Sequence, residues 1–264
     1  MPVSKTILTI FYALLSSVLF CANQHVAAQK LTLFAKAQQH FGTNKTDFGI
    51  APRTDGIYAN QNAIGGGKDI LLGSGYFFSD LFGLDLSLCY HYGNEITALQ
   101  ADISTDTNPI TYLLKNKSDF AYVSPSFIAR VPIAKKWKFH IKSGLVLPIY
   151  MSSTQEHSLN ESSATYEVKS QFNFGFNGMI GLTYQVSDKL GIIFEVEEFN
   201  ITSKFTKATL VSKQNDLFGF PNTITYQNEV PDAEYLLISE QQLAYPTPFN
   251  NVGFNIGIQY NLKN

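Results

Sequence analysis

The chain has 264 residues, a net charge of −2 and a charged fraction of 15%, well under the roughly 25% of an ordinary soluble domain. A near-neutral chain gives no electrostatic case for nucleic-acid binding. With 21 Phe and 14 Tyr set against so few charges, the composition suits strands that face lipid on one side and a tight polar interior on the other.

In chain order, the first element is a secretory signal. Lys5 supplies positive charge, Ile7 to Phe20 is apolar, and Val26-Ala27-Ala28 ends on small residues. This predicts a signal peptide over 1–28, cut before Gln29. The apolar run is shorter than the roughly 20 residues of a spanning helix. A lipoprotein signal acylated at Cys21 is the rival, but Phe20 stands where a small residue is expected. Removal of the signal takes Cys21 with it and leaves Cys89 alone, so no intrachain disulfide is expected. No Cys/His zinc spacing is present, and neither metal nor cofactor is expected.

No later segment is a long apolar run. A membrane-resident mature chain must therefore be a closed barrel, because unpaired backbone is not tolerated in lipid. Alternation with period two supports this. Lys30 to Phe41 alternates weakly and is the first strand. Lys68 to Phe78 turns at Ser79-Asp80-Leu81 into Phe82 to Tyr92. Asp119 to Pro132 turns at Ile133-Ala134-Lys135 into Lys136 to Tyr150. Val168 to Gln185 turns at Val186-Ser187-Asp188 into Lys189 to Ile201. Val252 to Leu262 is the clearest strand, with Val252, Phe254, Ile256, Ile258, Tyr260 and Leu262 on one face.

The prediction is an all-β, closed, antiparallel up-and-down transmembrane barrel of eight strands over residues 29–264. Its turns alternate with long polar loops at about 42–67, 94–118, 152–167 and 206–247, the pattern of short periplasmic turns and long extracellular loops. Strand-like pieces at 208–212, 223–226 and 234–238 are either a hairpin above the membrane or a fifth pair, giving ten strands. A soluble periplasmic β-sandwich would share the alternation but not the regular short and long connections.

The chain resembles the small outer-membrane barrels of the OmpA/OmpX type. The most specific stretch is Asn255-Ile256-Gly257-Ile258-Gln259-Tyr260-Asn261-Leu262, which is similar to that family's C-terminal assembly signal. Asn255, Gly257, Tyr260 and Leu262 are its matching positions, and the chain runs two residues past Leu262. The hairpin from Gly75 to Leu84 also resembles that family. The resemblance implies an outer-membrane location and recognition by a barrel-assembly machinery.

The residues expected to face the interior are Lys36, Asp69, Asp85, His91, Arg130, Lys138, His140, Lys142, Glu195 and Glu197. An eight-stranded barrel is just wide enough for side chains to fill, so these charges must pair. The expectation is a charge network that plugs the lumen, with a gated narrow pore as the alternative. Glu195 and Glu197 share one face of a strand, but a filled lumen offers no cleft for acid/base work on a glycoside. His157-Ser158 is the one adjacent His/Ser pair. Nucleophilic catalysis needs both within reach of each other and of an orienting acid, so His157 is expected to be a solvated loop residue. Gly65-Gly66-Gly67-Lys68 lacks the rest of a phosphate loop and reads as a loop re-entering a strand.

The functional expectation is a non-enzymatic structural or surface-interaction barrel. A narrow solute channel and a lipid-modifying hydrolase are the alternatives. Expected partners are outer-membrane lipid, lipopolysaccharide, the assembly machinery, and a protein or glycan bound by the loops.

Overall fold

The computed structural model describes residues 30–43, 45–53, 56–63, 65–105, 108–227, 240–243 and 246–262; the signal-peptide expectation at 1–28 lies outside them. Fourteen strands are described: β1 (Lys30–Gly42), β2 (Lys45–Arg53), β3 (Gly56–Ala63), β4 (Gly67–Phe77), β5 (Phe82–Gly93), β6 (Ile96–Thr105), β7 (Asn108–Ala134), β8 (Trp137–Leu159), β9 (Ser162–Phe172), β10 (Gly175–Gln185), β11 (Leu190–Gln214), β12 (Thr223–Gln227), β13 (Gln241–Leu243) and β14 (Pro246–Leu262).

Eight of them close a ring: β1, β4, β5, β7, β8, β10, β11 and β14, which returns to β1. All ring pairings are antiparallel, and the closing one runs from Leu31↔Leu262 to Gly42↔Asn251. The ring therefore leaves no unpaired strand edge, as a sheet surrounded by lipid requires.

The alternation predicted from sequence holds around this ring. Leu33, Ile70, Leu72, Leu84, Leu88, Phe127, Ile141, Phe176, Ile180, Phe194, Phe254, Ile256 and Ile258 point outward and are exposed. Phe34, Leu71, Phe77, Phe120, Tyr122, Val146, Ile193, Phe199 and Phe249 point inward and are buried, among polar groups described below. A continuous apolar surface of this extent is untenable in water, so the ring is a membrane-spanning barrel with the belt as its lipid contact.

Where the long connections are described, they are mostly strand: β7, β8 and β11 run on from the ring into the expected loops at 94–118, 152–167 and 206–247, beside the short strands β6, β9, β12 and β13. β7 has 27 residues, β8 has 23 and β11 has 25, where about 9–11 cross a membrane. Above the ring β7 pairs with β6 and β8, and β8 pairs with β9. β9 pairs with β11, and β11 with β12. The 42–67 connection contains the β2–β3 hairpin, a separate two-stranded sheet.

The ten-strand alternative is corrected. β12 pairs with β11 only from Lys207 to Thr209, and β13 lies parallel on β12. Both stay outside the ring as part of the upper sheet. The piece at 234–238 lies outside the described residues.

The expected strand from Val168 to Gln185 is also corrected, since it breaks at Asn173–Phe174 into β9 and β10. The break has a purpose visible in side-chain parity. In β9 the inward residues are Tyr166 and Val168; in β10 they are Asn177 and Met179. β8 switches in the same way at an irregularity beside Pro148 and Tyr150, from inward His140 and Lys142 to inward Gln155 and His157. One extra residue turns every later side chain to the other face. Pro148, which has no N–H for the ladder, is tolerated at such a point. The extension gains its own core from this switch: Tyr112, Leu159, Tyr166, Val168, Phe205, Phe220 and Ile224.

Candidate functional site

The interior of the ring is layered. Nearest the short turns, Arg130 lies over the Phe77 ring, 3.3 Å from its centroid, and its Nε donates to the Asp80 carbonyl at 3.2 Å. Arg130, Lys138 and His140 line a cavity of about 20 Å³ there, room for one water at most.

The middle layer is an ion cluster centred on Glu195. Its carboxylate meets Lys36 Nζ at 2.6 Å, His140 Nε2 at 2.8 Å and Lys142 Nζ at 3.1 Å. Lys142 continues to Asp85 at 2.5 Å. These residues come from β1, β5, β8 and β11, so the cluster crosses the barrel from wall to wall. It closes because Gly181 faces it: a Cβ there would sit 2.6 Å from Glu195 Cγ and 2.7 Å from His140 Nε2.

Glu197, one inward position further along β11, is held differently. Gln38 Nε2 donates to it, Asn177 Nδ2 donates at 2.9 Å and Asn255 Nδ2 at 3.4 Å. Asn255 also donates to Glu195 at 3.2 Å. Among the described residues no cation comes within ion-pair distance of Glu197.

The upper layer gathers around Asp69. His40 Nε2 lies 3.0 Å from Oδ2, and His91 Nδ1 lies 2.6 Å from Oδ1. Cys89 Sγ and the Tyr122 hydroxyl donate to Oδ2 at 3.2 and 3.4 Å. Phe120 stacks on His91, with centroids 4.5 Å apart.

The structure thus joins Lys36, Asp85, His140, Lys142 and Glu195 of the predicted set, and brings Asp69 and His91 together in the upper layer. It sets Arg130 and Lys138 lower and Glu197 apart among amides. Sequence reasoning missed His40, Gln38, Asn177 and Tyr122. His40 carried a signal, since it continues the inward series Thr32, Phe34, Lys36 and Gln38. The outward Ala35, Ala37 and Gln39 are too weakly apolar to mark that face.

The C-terminal positions have structural roles of their own. Asn255 bridges the two glutamates, and at Gly257 a Cβ would lie 2.7 Å from Lys36 Cγ. Tyr260 is exposed in the outer belt, and Leu262 is half-buried.

His157 is not the solvated loop residue expected from sequence. It sits on β8, fully buried in the extension. Its Nδ1 shares a hydrogen bond with the Tyr112 hydroxyl at 2.8 Å, and the Tyr166 ring packs edge-on at 5.0 Å. Ser158 points to the opposite face of the strand. Burial lowers the His157 pKa to about 4 and raises that of Tyr166 to about 12.

No protein-family model and no curated protein sequence matches the chain. Among solved structures, the chain is similar to Neisserial surface protein A at 11% identity over 88% of this chain and 98% of that one, with a TM-score of 0.36. OprG from Pseudomonas aeruginosa is similar at 12% identity over 91% and 98%, with a TM-score of 0.42. Ail of Yersinia pestis is similar at 10% identity over 89% and 97%, with a TM-score of 0.34. Likenesses this distant say nothing of what the chain binds, and the barrel is read from its own strand pairings.

Proposed function

We propose that the protein is a sealed outer-membrane barrel of the OmpA/OmpX type that serves as a rigid pedestal for a β-structured surface extension. The observation that carries this reading is the cluster of Lys36, Asp85, His140, Lys142 and Glu195, which spans the lumen with ion pairs of 2.5–3.1 Å. Hydrated ions cannot pass a cross-section so filled. Holding the ring in one shape also suits a role for what stands above it. The extension has a packed core and continuous strand pairing, so it presents a fixed surface to a protein or glycan outside the cell. A hydrolase reading lacks support, because His157 and Ser158 face opposite sides of β8 and the imidazole is committed to Tyr112.

The test is conductance across a planar lipid bilayer holding the refolded, heat-modifiable protein. The expected result is no stable open level. A reproducible channel of fixed conductance would overturn the sealed reading and favour the narrow channel.

A further inference from the structure

The upper layer of the lumen gathers side chains that metal ions prefer. His40 on β1, Asp69 on β4 and His91 on β5 are all buried, and a ligand atom from each lies within 4.8 Å of the others. Cys89, also buried and without a disulfide partner, directs Sγ at Asp69 from 3.2 Å. We propose that this is a mononuclear metal site for a late first-row divalent cation, with zinc as its best match.

The donor set selects the ion. Two imidazoles and one carboxylate suit Zn²⁺ and its neighbours, and Cys89, whose Sγ lies 3.2 Å from Asp69, is the candidate for the fourth position of a tetrahedral centre. Calcium and magnesium prefer six or more oxygen ligands and are disfavoured here.

The surroundings of His40 are suited to a bound cation. His40 Nδ1 and Asn251 Oδ1 are both buried without a hydrogen-bond partner, and Asn251 neighbours the His40 imidazole. With its proton on Nε2, His40 can donate to Asp69, but Nδ1 is then bare and Asn251 Oδ1 receives nothing. A cation on Nε2 shifts that proton to Nδ1, where Asn251 can accept it. Metal-bound histidines almost always make such an outer contact. A void of about 10 Å³ lined by Gly65, Gly66, His91, Gly93 and Asn94 adjoins the site. On binding, the His91 Nδ1 proton moves to Nε2 in the same way, and the Cys89 thiol releases its proton to solvent.

The experiment uses the full untagged barrel, refolded in detergent and checked by heat-modifiable migration. It is dialysed against Zn²⁺ for metal analysis and titrated with Co²⁺ for spectroscopy. One metal per chain is expected. Bound Co²⁺ should give tetrahedral ligand-field absorption and a thiolate charge-transfer band. Cys89→Ser should lose that band, and Asn251→Leu should weaken binding about 10–100-fold. His91→Gln should abolish binding; if it fails to fold, the other two variants decide. Retention of no stoichiometric metal by the folded wild type would overturn the proposal. So would binding that is unchanged in both Cys89→Ser and Asn251→Leu.

Discussion

Neutralising Glu195 leaves Lys36, Lys142 and a histidine facing one another across the lumen. Lys142 keeps Asp85 at 2.5 Å, while Lys36 loses the ion pair it makes at 2.6 Å. Stranding a buried charge costs about 3–5 kcal/mol, so Glu195→Gln should lower the urea midpoint of the vesicle-embedded barrel by that equivalent. Glu197→Gln is the contrast. Its partners Gln38, Asn177 and Asn255 are amides, which can turn to meet a new amide, and no cation is stranded. It should cost less than Glu195→Gln by about 2 kcal/mol or more. Equal losses for the two variants would mean that pairing with lysine does not set the cost.

His157 carries the corresponding argument for the strands of the extension. Buried neutral, it is held at about 4, against about 6.5 for an unfolded chain. Between those values the unfolded segment binds more protons than the folded one, so stability falls as pH drops through that window. The loss reaches about 3 kcal/mol at about 1.4 kcal/mol per unit. The protection of the amides along Ser153 to Leu159, exchange being corrected for its intrinsic rate at each pH, should therefore fall between pH 6.5 and 4, and His157→Phe should flatten that slope. An unchanged slope in the variant would assign the effect to other groups. The same residue shows where the sequence stops being legible. Asp85, His140, Lys142 and Glu195 could be placed inward because lipid demands apolar neighbours on the outward face. Past the rim that demand ends. Thr154, Glu156 and Ser158 face outward opposite Gln155 and His157, so both faces look polar and the strand reads as a loop. The parity switches near Pro148 and Asn173 hide it further. Which inward residues meet is less legible still, because Lys36 and Glu195 are joined by barrel closure across 159 positions of chain.

The molecule as a whole divides into a lipid-wetted ring, a packed β extension and an exposed tip. Most large apolar side chains that are exposed belong to the ring and its turns. The tip holds others: Val211 at the end of β11, then Leu217 at 78% exposure and Phe218. Residues 215–222 form no strand, and Leu217 and Phe218 stand out from this segment into solvent. Chymotrypsin added to vesicles carrying the folded protein should therefore cut after Leu217 or Phe218. The ring strands, paired on both sides and covered by lipid, should resist. A nick there puts β1 to β11 on one fragment and β14 on the other, yet β14 is paired along its length with both β1 and β11. The cut protein should migrate as one compact species until boiled, then separate into two fragments. If β14 were instead released without heating, the closing pairings would not be what holds the cylinder together.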